Sequence, residues 1–335
     1  MLEGLGDYGC QFQYLELIKM KNRSLFLSIL LTIVTCFYSL NARSSCNFNI
    51  TNVDSFDIDS TKKLIIIGEY HYQRGNYELM YMIFEKALKK NFRVLLYECS
   101  HSKAFLINEF IKEENVEFSR RSIFWGEERI FLQKLRLLYK SLSPQDRFVV
   151  EGLDIEKESI YSEEAIKYIY NKSIFLNSIT VQHFKKFNDF TNGELSGGEK
   201  IEWIDAITAI SEGIQNNKIV FEKDLGSNYS TINRIIEKLI SDYPISKHNL
   251  FLSKNAEKLE PREERMFINL IDVYKRHPSA KCFGQFGITH ISQVTEWNWG
   301  GIKNWESFVA RFKKRNQFRD EVTSILIFHD SFFLK

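Results

Sequence analysis

The sequence lacks the signals that assign a chain to several large protein classes. Lys and Arg number 45 against 43 Asp and Glu, and no basic block marks a face for nucleic acid. No GxxxxGK[ST] loop is present, so the segment 195–199, which reads LSGGE and resembles an ATP-binding-cassette signature, is a chance match. A GxSxG elbow and an HExxH motif are also absent. We therefore expect no nucleic-acid partner, no P-loop nucleotide and no serine nucleophile.

Cysteine is scarce, and its spacing does not suit a structural role. Of the 5 cysteines, Cys10 and Cys36 lie in the N-terminal segment, which leaves Cys46, Cys99 and Cys282. An odd number at wide spacing is not a disulfide framework, and no CxxC pair indicates structural zinc. Cys99 and Cys282 lie in apolar, strand-like sequence, which predicts buried and inert thiols.

One apolar segment near the N-terminus has the pattern of a targeting signal. A basic stretch around Lys21 precedes the apolar residues 24–40, and a small-residue cleavage site follows. We expect residues 1–42 to be a signal peptide, removed on export to the periplasm or the exterior, with residues 1–19 an extended leader or a mis-assigned start. An uncleaved anchor is less favoured because the run is shorter than the about 20 residues that cross a bilayer. Lipidation at Cys36 is also less favoured.

The remaining residues, 43–335, predict a single α/β domain. With 44% apolar and 14% aromatic residues, the chain can bury one large core. Strand-like runs alternate with segments of helical period, an order that predicts a mainly parallel sheet with right-handed crossovers. The predicted fold is a three-layer α/β/α sandwich with a helical insertion at about 156–260. Strands are predicted at 64–67, 92–97, 148–154, 280–286 and 324–328, and helices at 76–90, 102–114, 127–142 and from Pro261, in the first turn, to about 275.

Ionisable side chains follow three of the predicted strands. Glu69 and His71 come after the first, Glu98 follows the second, and His290 follows the fourth. Because parallel strands bring their carboxyl ends to one edge, we expect these functional groups to converge within roughly 10 Å. Arg74 is expected to point into the same space.

The residue types at this edge suit two kinds of chemistry. An imidazole held by a carboxylate can take a proton from water and make a nucleophile, with a second histidine or Arg74 holding the oxyanion. On this interpretation no cofactor is required. Alternatively, His71, Glu98 and His290 could ligate a divalent metal that lowers the pKa of bound water toward about 7. Asp154, at the end of the third predicted strand, is interpreted as a helix cap rather than a catalytic residue.

A series of segments, taken in chain order, resembles one protein family. They lie within about residues 62–292 and are 68–71 with Arg74, 95–100, 108–111, 125–138, 152–154, 262–269 and 287–291. Their order resembles the erythromycin esterase-like group within the haem-uptake/Tiki (ChaN-like) superfamily. The resemblance implies an α/β/α sandwich with a polar cleft, in which His71 acts as base beside Glu69, Arg74, Glu98 and His290.

Two departures from the esterase pattern limit what the resemblance implies about activity. Erythromycin esterases usually space acid and base as Glu-x-x-His, whereas here Glu69 and His71 are two residues apart, which is closer to the haem-binding branch. The late loop of the esterases carries two histidines, and Gly287 stands in place of the earlier one. The departures leave macrolide hydrolysis itself unsupported. From the residue types at the strand ends, we expect an exported hydrolase acting on a small-molecule ester, lactone or amide. The alternative is an envelope protein that binds haem or another small ligand in the same cleft without turnover.

Overall fold

The structure is a computed structural model, and part of the chain is described in it. The described ranges are 57–71, 75–113, 126–156, 159–173, 175–192, 203–246, 256–292, 297–299, 302–315 and 320–326, with residues 116, 118 and 124. The predicted signal peptide and Arg74 lie outside them, so both remain predictions. Within these ranges, no helix combines the length and apolarity needed for a membrane span.

The described strands form one parallel sheet and one hairpin. In chain order they are β1 (Leu64–Glu69), β2 (Phe92–Tyr97), β3 (Val149–Gly152), β4 (Lys281–Gly287), β5 (Trp297–Trp299), β6 (Ile302–Trp305) and β7 (Val322–Leu326). The sheet has the order β3-β2-β4-β1-β7, and each neighbouring pair is parallel. The hairpin pairs β5 with β6 in antiparallel fashion. The predicted parallel sheet is therefore confirmed.

Helices connect these strands and fill the predicted insertion. They are α1 (Asn76–Lys89), α2 (His101–Lys112), α3 (Gly126–Ser141), α4 (Ser159–Lys172), α5 (Ser178–Asn192), α6 (Trp203–Asn216), α7 (Lys218–Leu225), α8 (Tyr229–Ser246), α9 (Ala256–Arg276) and α10 (Phe308–Lys314). The described residues of 156–260 contain helices and no strand, as predicted. The prediction that Pro261 lies in the first turn of its helix is wrong, because α9 begins at Ala256. Proline fixes φ near the helical value but does not force a helix to start there.

The central strands are buried on both faces. Ile66 packs in one cluster with Met266 of α9 and Phe308 of α10. On the opposite face, Phe283 stacks on Phe84 of α1 with ring centroids 5.7 Å apart. Strands covered on both faces read as continuous apolar runs, which is why β1 shows no alternation. The result is the predicted three-layer α/β/α sandwich. Burial of each Ile, Met or Phe side chain in these layers stabilises the fold by about 1.5–3 kcal/mol.

The turn after β2 is fixed by a helix cap and by the neighbouring strand. Ser100 caps α2, and its Oγ accepts a hydrogen bond from the Lys103 amide at 3.3 Å. The carbonyl of Cys99 accepts a hydrogen bond from the Asp154 amide at 2.9 Å, which ties the ends of β2 and β3 together. Glu98 is thereby held in the short turn at the carboxyl edge of the sheet.

Candidate functional site

The structure brings together four side chains that the sequence placed at strand ends. Glu69 ends β1, His71 lies two residues later, Glu98 follows β2, and His290 ends the 3-10 turn after β4. His71 Nε2 lies 3.7 Å from Glu98 Oε2, and His290 Nε2 lies 3.4 Å from Glu98 Oε1. Their shared location is a structural fact, and their catalytic roles remain predictions. Arg74 lies outside the described residues.

Glu69 and His71 form a hydrogen-bonded pair. His71 Nδ1 lies 3.2 Å from Glu69 Oε1, and the His71 side chain is 49% exposed. The hydrogen bond to Glu69 raises the pKa of His71 above its ordinary value; burial opposes this, and the negative charge of Glu98 adds to it. The ring is therefore both accessible and disposed to accept a proton.

Glu98 lies at the centre of the charged groups. Its Oε1 accepts a hydrogen bond from Arg262 Nη2 at 3.0 Å, and its Oε2 accepts one from the Gly287 amide at 2.7 Å. Burial by itself would raise the pKa of this carboxyl, but the positive charges of His290 and Arg262 hold the pKa well below its usual range. Glu98 is therefore a carboxylate at neutral pH.

Arg262 of α9 joins Glu98 to Asp154. Its Nε donates to Asp154 Oδ1 at 2.7 Å, and its Nη2 donates to Asp154 Oδ2 at 2.8 Å, a bidentate contact. The interpretation of Asp154 as a helix cap is wrong, because Ile155 and Glu156, which follow it directly, are not helical. The carboxylate instead holds the guanidinium that neutralises Glu98.

His290 is clamped by a second carboxylate. Its Nδ1 lies within hydrogen-bond reach of Glu263 Oε1, while Glu263 Oε2 accepts from the Phe308 amide at 2.8 Å at the start of α10. The His290 side chain is 6% exposed. Burial opposes its positive charge, but the negative charges of Glu263 and Glu98 prevail and raise the pKa of His290 to about 9. His290 is therefore an imidazolium at neutral pH.

Sequence reasoning did not name Arg262 and Glu263 as site residues, although the segment 262–269 was part of the family resemblance and the helix pattern held a further signal. Met266, Leu270 and Val273 form the buried stripe of α9, and Glu263 lies one helical turn before it on the same face. A carboxylate on an apolar stripe is costly to bury unless it is paired. That signal could have marked Glu263 as a site residue, but the identity of its partner could not be read from the helix.

The structure bears on the alternative interpretation, in which this cluster holds a divalent metal. Among the described residues, no group of three or more His, Cys, Asp or Glu side chains could hold a metal ion. Two positively charged groups, the His290 imidazolium and the Arg262 guanidinium, already neutralise Glu98. The alternative ligand set of His71, Glu98 and His290 is not arranged as a metal site in the described part of the chain.

The raised pKa of His290 predicts a pH dependence of stability. A group whose pKa is higher in the folded state stabilises the fold fully below its unfolded value, here 6.5, and loses this contribution as the pH rises through about 9. The melting temperature should therefore fall between pH 6.5 and pH 9. In Glu263→Gln the pKa of His290 should drop because burial then dominates, and this decline should flatten. Calorimetry of both proteins across this range is the measurement; parallel curves would contradict the assignment.

Comparisons with known proteins identify the fold. No protein-family model and no curated protein sequence matches the chain. Among solved structures, it is similar to a histidine-to-asparagine mutant of erythromycin esterase in its open conformation, with 10% identity and a TM-score of 0.50 over 83% of this chain and 73% of that one. It is also similar to a succinoglycan biosynthesis protein, with 11% identity and a TM-score of 0.53 over 84% of this chain and 69% of that one.

A third similar structure is a Bacillus cereus protein, with 13% identity and a TM-score of 0.53 over 79% of this chain. The chain spans 65% of the length of that protein. At such low identity the likeness concerns the fold alone, and the fold is erythromycin esterase-like. This confirms the fold implied by the sequence resemblance, while the relation to the wider haem-uptake/Tiki superfamily remains a prediction.

Proposed function

We propose that this protein is a hydrolase that activates water at His71 to cleave a small-molecule ester, lactone or amide. The observation that carries the proposal is the position of the His71 ring between two carboxylates. Glu69 contacts Nδ1 at 3.2 Å, and Glu98 lies 3.7 Å from Nε2. Glu69 thus favours the tautomer with the proton on Nδ1, which leaves Nε2 as the basic nitrogen.

The proposed reaction needs only groups of this chain, water and substrate. Nε2 of His71 takes a proton from water as the oxygen attacks the carbonyl carbon, and Glu69 and Glu98 stabilise the imidazolium that forms. The imidazolium then returns the proton to the departing alcohol or amine as the carbon–oxygen or carbon–nitrogen bond breaks. Arg74 and the His290 imidazolium are the proposed groups for the oxyanion. Export to the cell envelope remains a prediction from the N-terminal sequence.

A substrate screen tests the proposal. The full chain is incubated with panels of esters, lactones and amides, and product release is followed as a function of pH. Because the base must be unprotonated, kcat/KM should rise with pH through the pKa of His71, which the hydrogen bond to Glu69 raises above its ordinary value. In Glu69→Gln this acid limb should move to lower pH, since the main cause of the raised pKa is removed. No turnover of any panel member contradicts the proposal, as does an acid limb that Glu69→Gln leaves in place.

The same preparation separates hydrolysis from ligand binding. If the cleft instead binds haem, titration of the protein with haem should produce a Soret band that is lost in His71→Ala or His290→Ala. Haem binding without turnover would favour the binding protein over the hydrolase. Turnover without such a band would favour the hydrolase.

A further inference from the structure

We propose that the carboxyl end of β4 positions the Glu69–His71 pair, with Gln285 and Gly287 as the positioning residues. The catalytic meaning of this proposal rests on the proposed function, but the positioning itself can be measured without turnover. Gln285 and Gly287 are two residues apart on β4 and so lie on one face of the sheet. In the register of the sheet, Gly287 lies opposite Glu69 on the neighbouring strand β1.

Gln285 holds the carboxylate oxygen that His71 does not contact. Its Nε2 is hydrogen-bonded to Glu69 Oε2, whereas His71 Nδ1 contacts Glu69 Oε1. The Gln285 side chain is buried, and its Nε2 also lies 3.2 Å from the carbonyl of Asn76. Because each carboxylate oxygen has its own hydrogen-bond partner, the Glu69 carboxylate is held in the orientation that places Oε1 against the His71 ring. Gln285 thus orients the Glu69 carboxylate, and the carboxylate in turn orients His71. Around metal-bound histidines, hydrogen-bonded carboxylates fix the ring orientation in the same way.

The same amide network reaches the backbone beside His71. The side-chain amide of Asn76 donates to the carbonyl of Tyr70 at 2.9 Å, and Tyr70 immediately precedes His71. Asn76 is the first residue of α1. Gln285 is therefore linked to the pair twice, directly through Glu69 and indirectly through Asn76.

Gly287 provides the space in which the imidazole lies. A Cβ at this position would be 2.5 Å from His71 Nε2, closer than real Cβ atoms come to other groups, and 3.0 Å from Cε1, a tight contact. The backbone does not require glycine, since φ is −52° and ψ is 140°, values that other residues adopt readily. The amide of Gly287 also donates to Glu98 Oε2 at 2.7 Å. Gly287 thus positions both the His71 ring and the Glu98 carboxylate that faces this ring.

The first test replaces Gly287 by alanine in the full chain. Histidine side chains are isotopically labelled, and the His71 resonance, identified by its loss in His71→Ala, is titrated by NMR. The added methyl must push the half-exposed ring away from Glu69 and Glu98, so the pKa of His71 should fall toward its ordinary value. Because the displaced atoms belong to an accessible ring, the melting temperature should change little. Where a substrate is known, kcat should fall about tenfold or more with KM nearly unchanged.

Gly213→Ala is the matched control for this substitution. A Cβ at Gly213 would lie 2.5 Å from Cγ of another histidine, His183, which belongs to α5 in the helical insertion. The change should leave the pKa of His71 at its wild-type value. A His71 pKa that is the same in Gly287→Ala as in wild type would overturn the role of Gly287.

The second test compares two changes at Gln285. Gln285→Leu removes the donor to Glu69, so the carboxylate loses its fixed orientation and the pKa of His71 should fall. Gln285→Glu either donates its own proton to Glu69 or adds a negative charge beside it, so the pKa of His71 should stay equal to wild type or rise. A merely structural role would move both variants in the same direction, and that result, or no shift in either, would overturn the proposal for Gln285.

Asn108→Leu is the matched control for the loss of a buried amide. Asn108 is buried on α2, and its Nδ2 donates to the carbonyls of Ala104 at 2.9 Å and Val150 at 2.7 Å. Its replacement should lower stability but leave the pKa of His71 unchanged. If the wild-type protein hydrolyses no substrate, the proposed function fails, whereas these titrations still decide whether β4 positions the pair.

Discussion

Replacing His71 by alanine should lower kcat/KM by about 10²–10⁴-fold on any substrate that the wild-type protein hydrolyses, the range that a positioned general base contributes. The substitution removes the only proton acceptor in the proposed mechanism and leaves Glu69 and Glu98 without the group they orient. Since the His71 side chain is 49% exposed, the free energy of unfolding should change by about 0.5 kcal/mol or less. Steady-state kinetics and urea denaturation of the two proteins are the measurements.

The exposure of the ring provides a sharper version of this experiment. Added imidazole should restore part of the lost rate in His71→Ala, because a small base can enter the space beside Glu69. His183→Ala is the control; its ring Nδ1 lies 2.8 Å from the carbonyl of Ala209 in the helical insertion, and its loss should leave the rate unchanged. A His71→Ala protein that keeps its rate within about threefold would refute the assignment of His71 as the base.

Replacing Arg262 by methionine should have the largest effect on stability, a loss of about 3–5 kcal/mol in the free energy of unfolding. The guanidinium is the bidentate partner of Asp154, whose side chain is 0% exposed, and it also donates to Glu98. Methionine fills similar volume but leaves a buried carboxylate without its counter-charge. Urea denaturation at pH 7 measures the loss.

The double variant Arg262→Met with Asp154→Asn separates charge from packing. Removing both charges should recover a substantial part of the stability, because a neutral buried side chain carries a far smaller desolvation penalty than a lone carboxylate. Lys218→Met is the control for an exposed ion pair, since Lys218 and Glu222 lie 3.7 Å apart on the surface of α7. That change should cost at most about 0.5 kcal/mol. If Arg262→Met costs no more than the control, the buried network does not stabilise the fold as argued.

The sequence alone determined the sheet and one part of the site. The apolar runs that became β1, β2 and β4 predicted parallel strands, and parallel strands place their carboxyl ends at one edge for geometric reasons that do not depend on detail. Glu69, Glu98 and the segment up to His290 were therefore assigned to the same edge before any distance was known. The helical character of 156–260 followed from the same local periodicity.

The tertiary structure decided which groups surround those residues. Arg262 and Glu263 come from α9, which is far along the chain from β2, and their contacts with Glu98 and His290 depend on how that helix is rotated against the sheet. The sequence could place Asp154 at the end of a strand, but it could not identify the Arg262 guanidinium as its partner. Periodicity gives the face of each element, whereas the pairing of faces is set by packing between segments that are distant in sequence.

Gly287 shows most clearly what the sequence alone could not determine. In the sequence it was only a departure from the esterase pattern, where an earlier histidine is expected. In the structure its missing side chain is the space that His71 occupies, with Nε2 2.5 Å from where a Cβ would lie. The sequence could show that a histidine follows β1 and a glycine ends β4, because each is a local fact. That the ring of one fills the space left by the other depends on the register between β1 and β4, which only the folded sheet fixes.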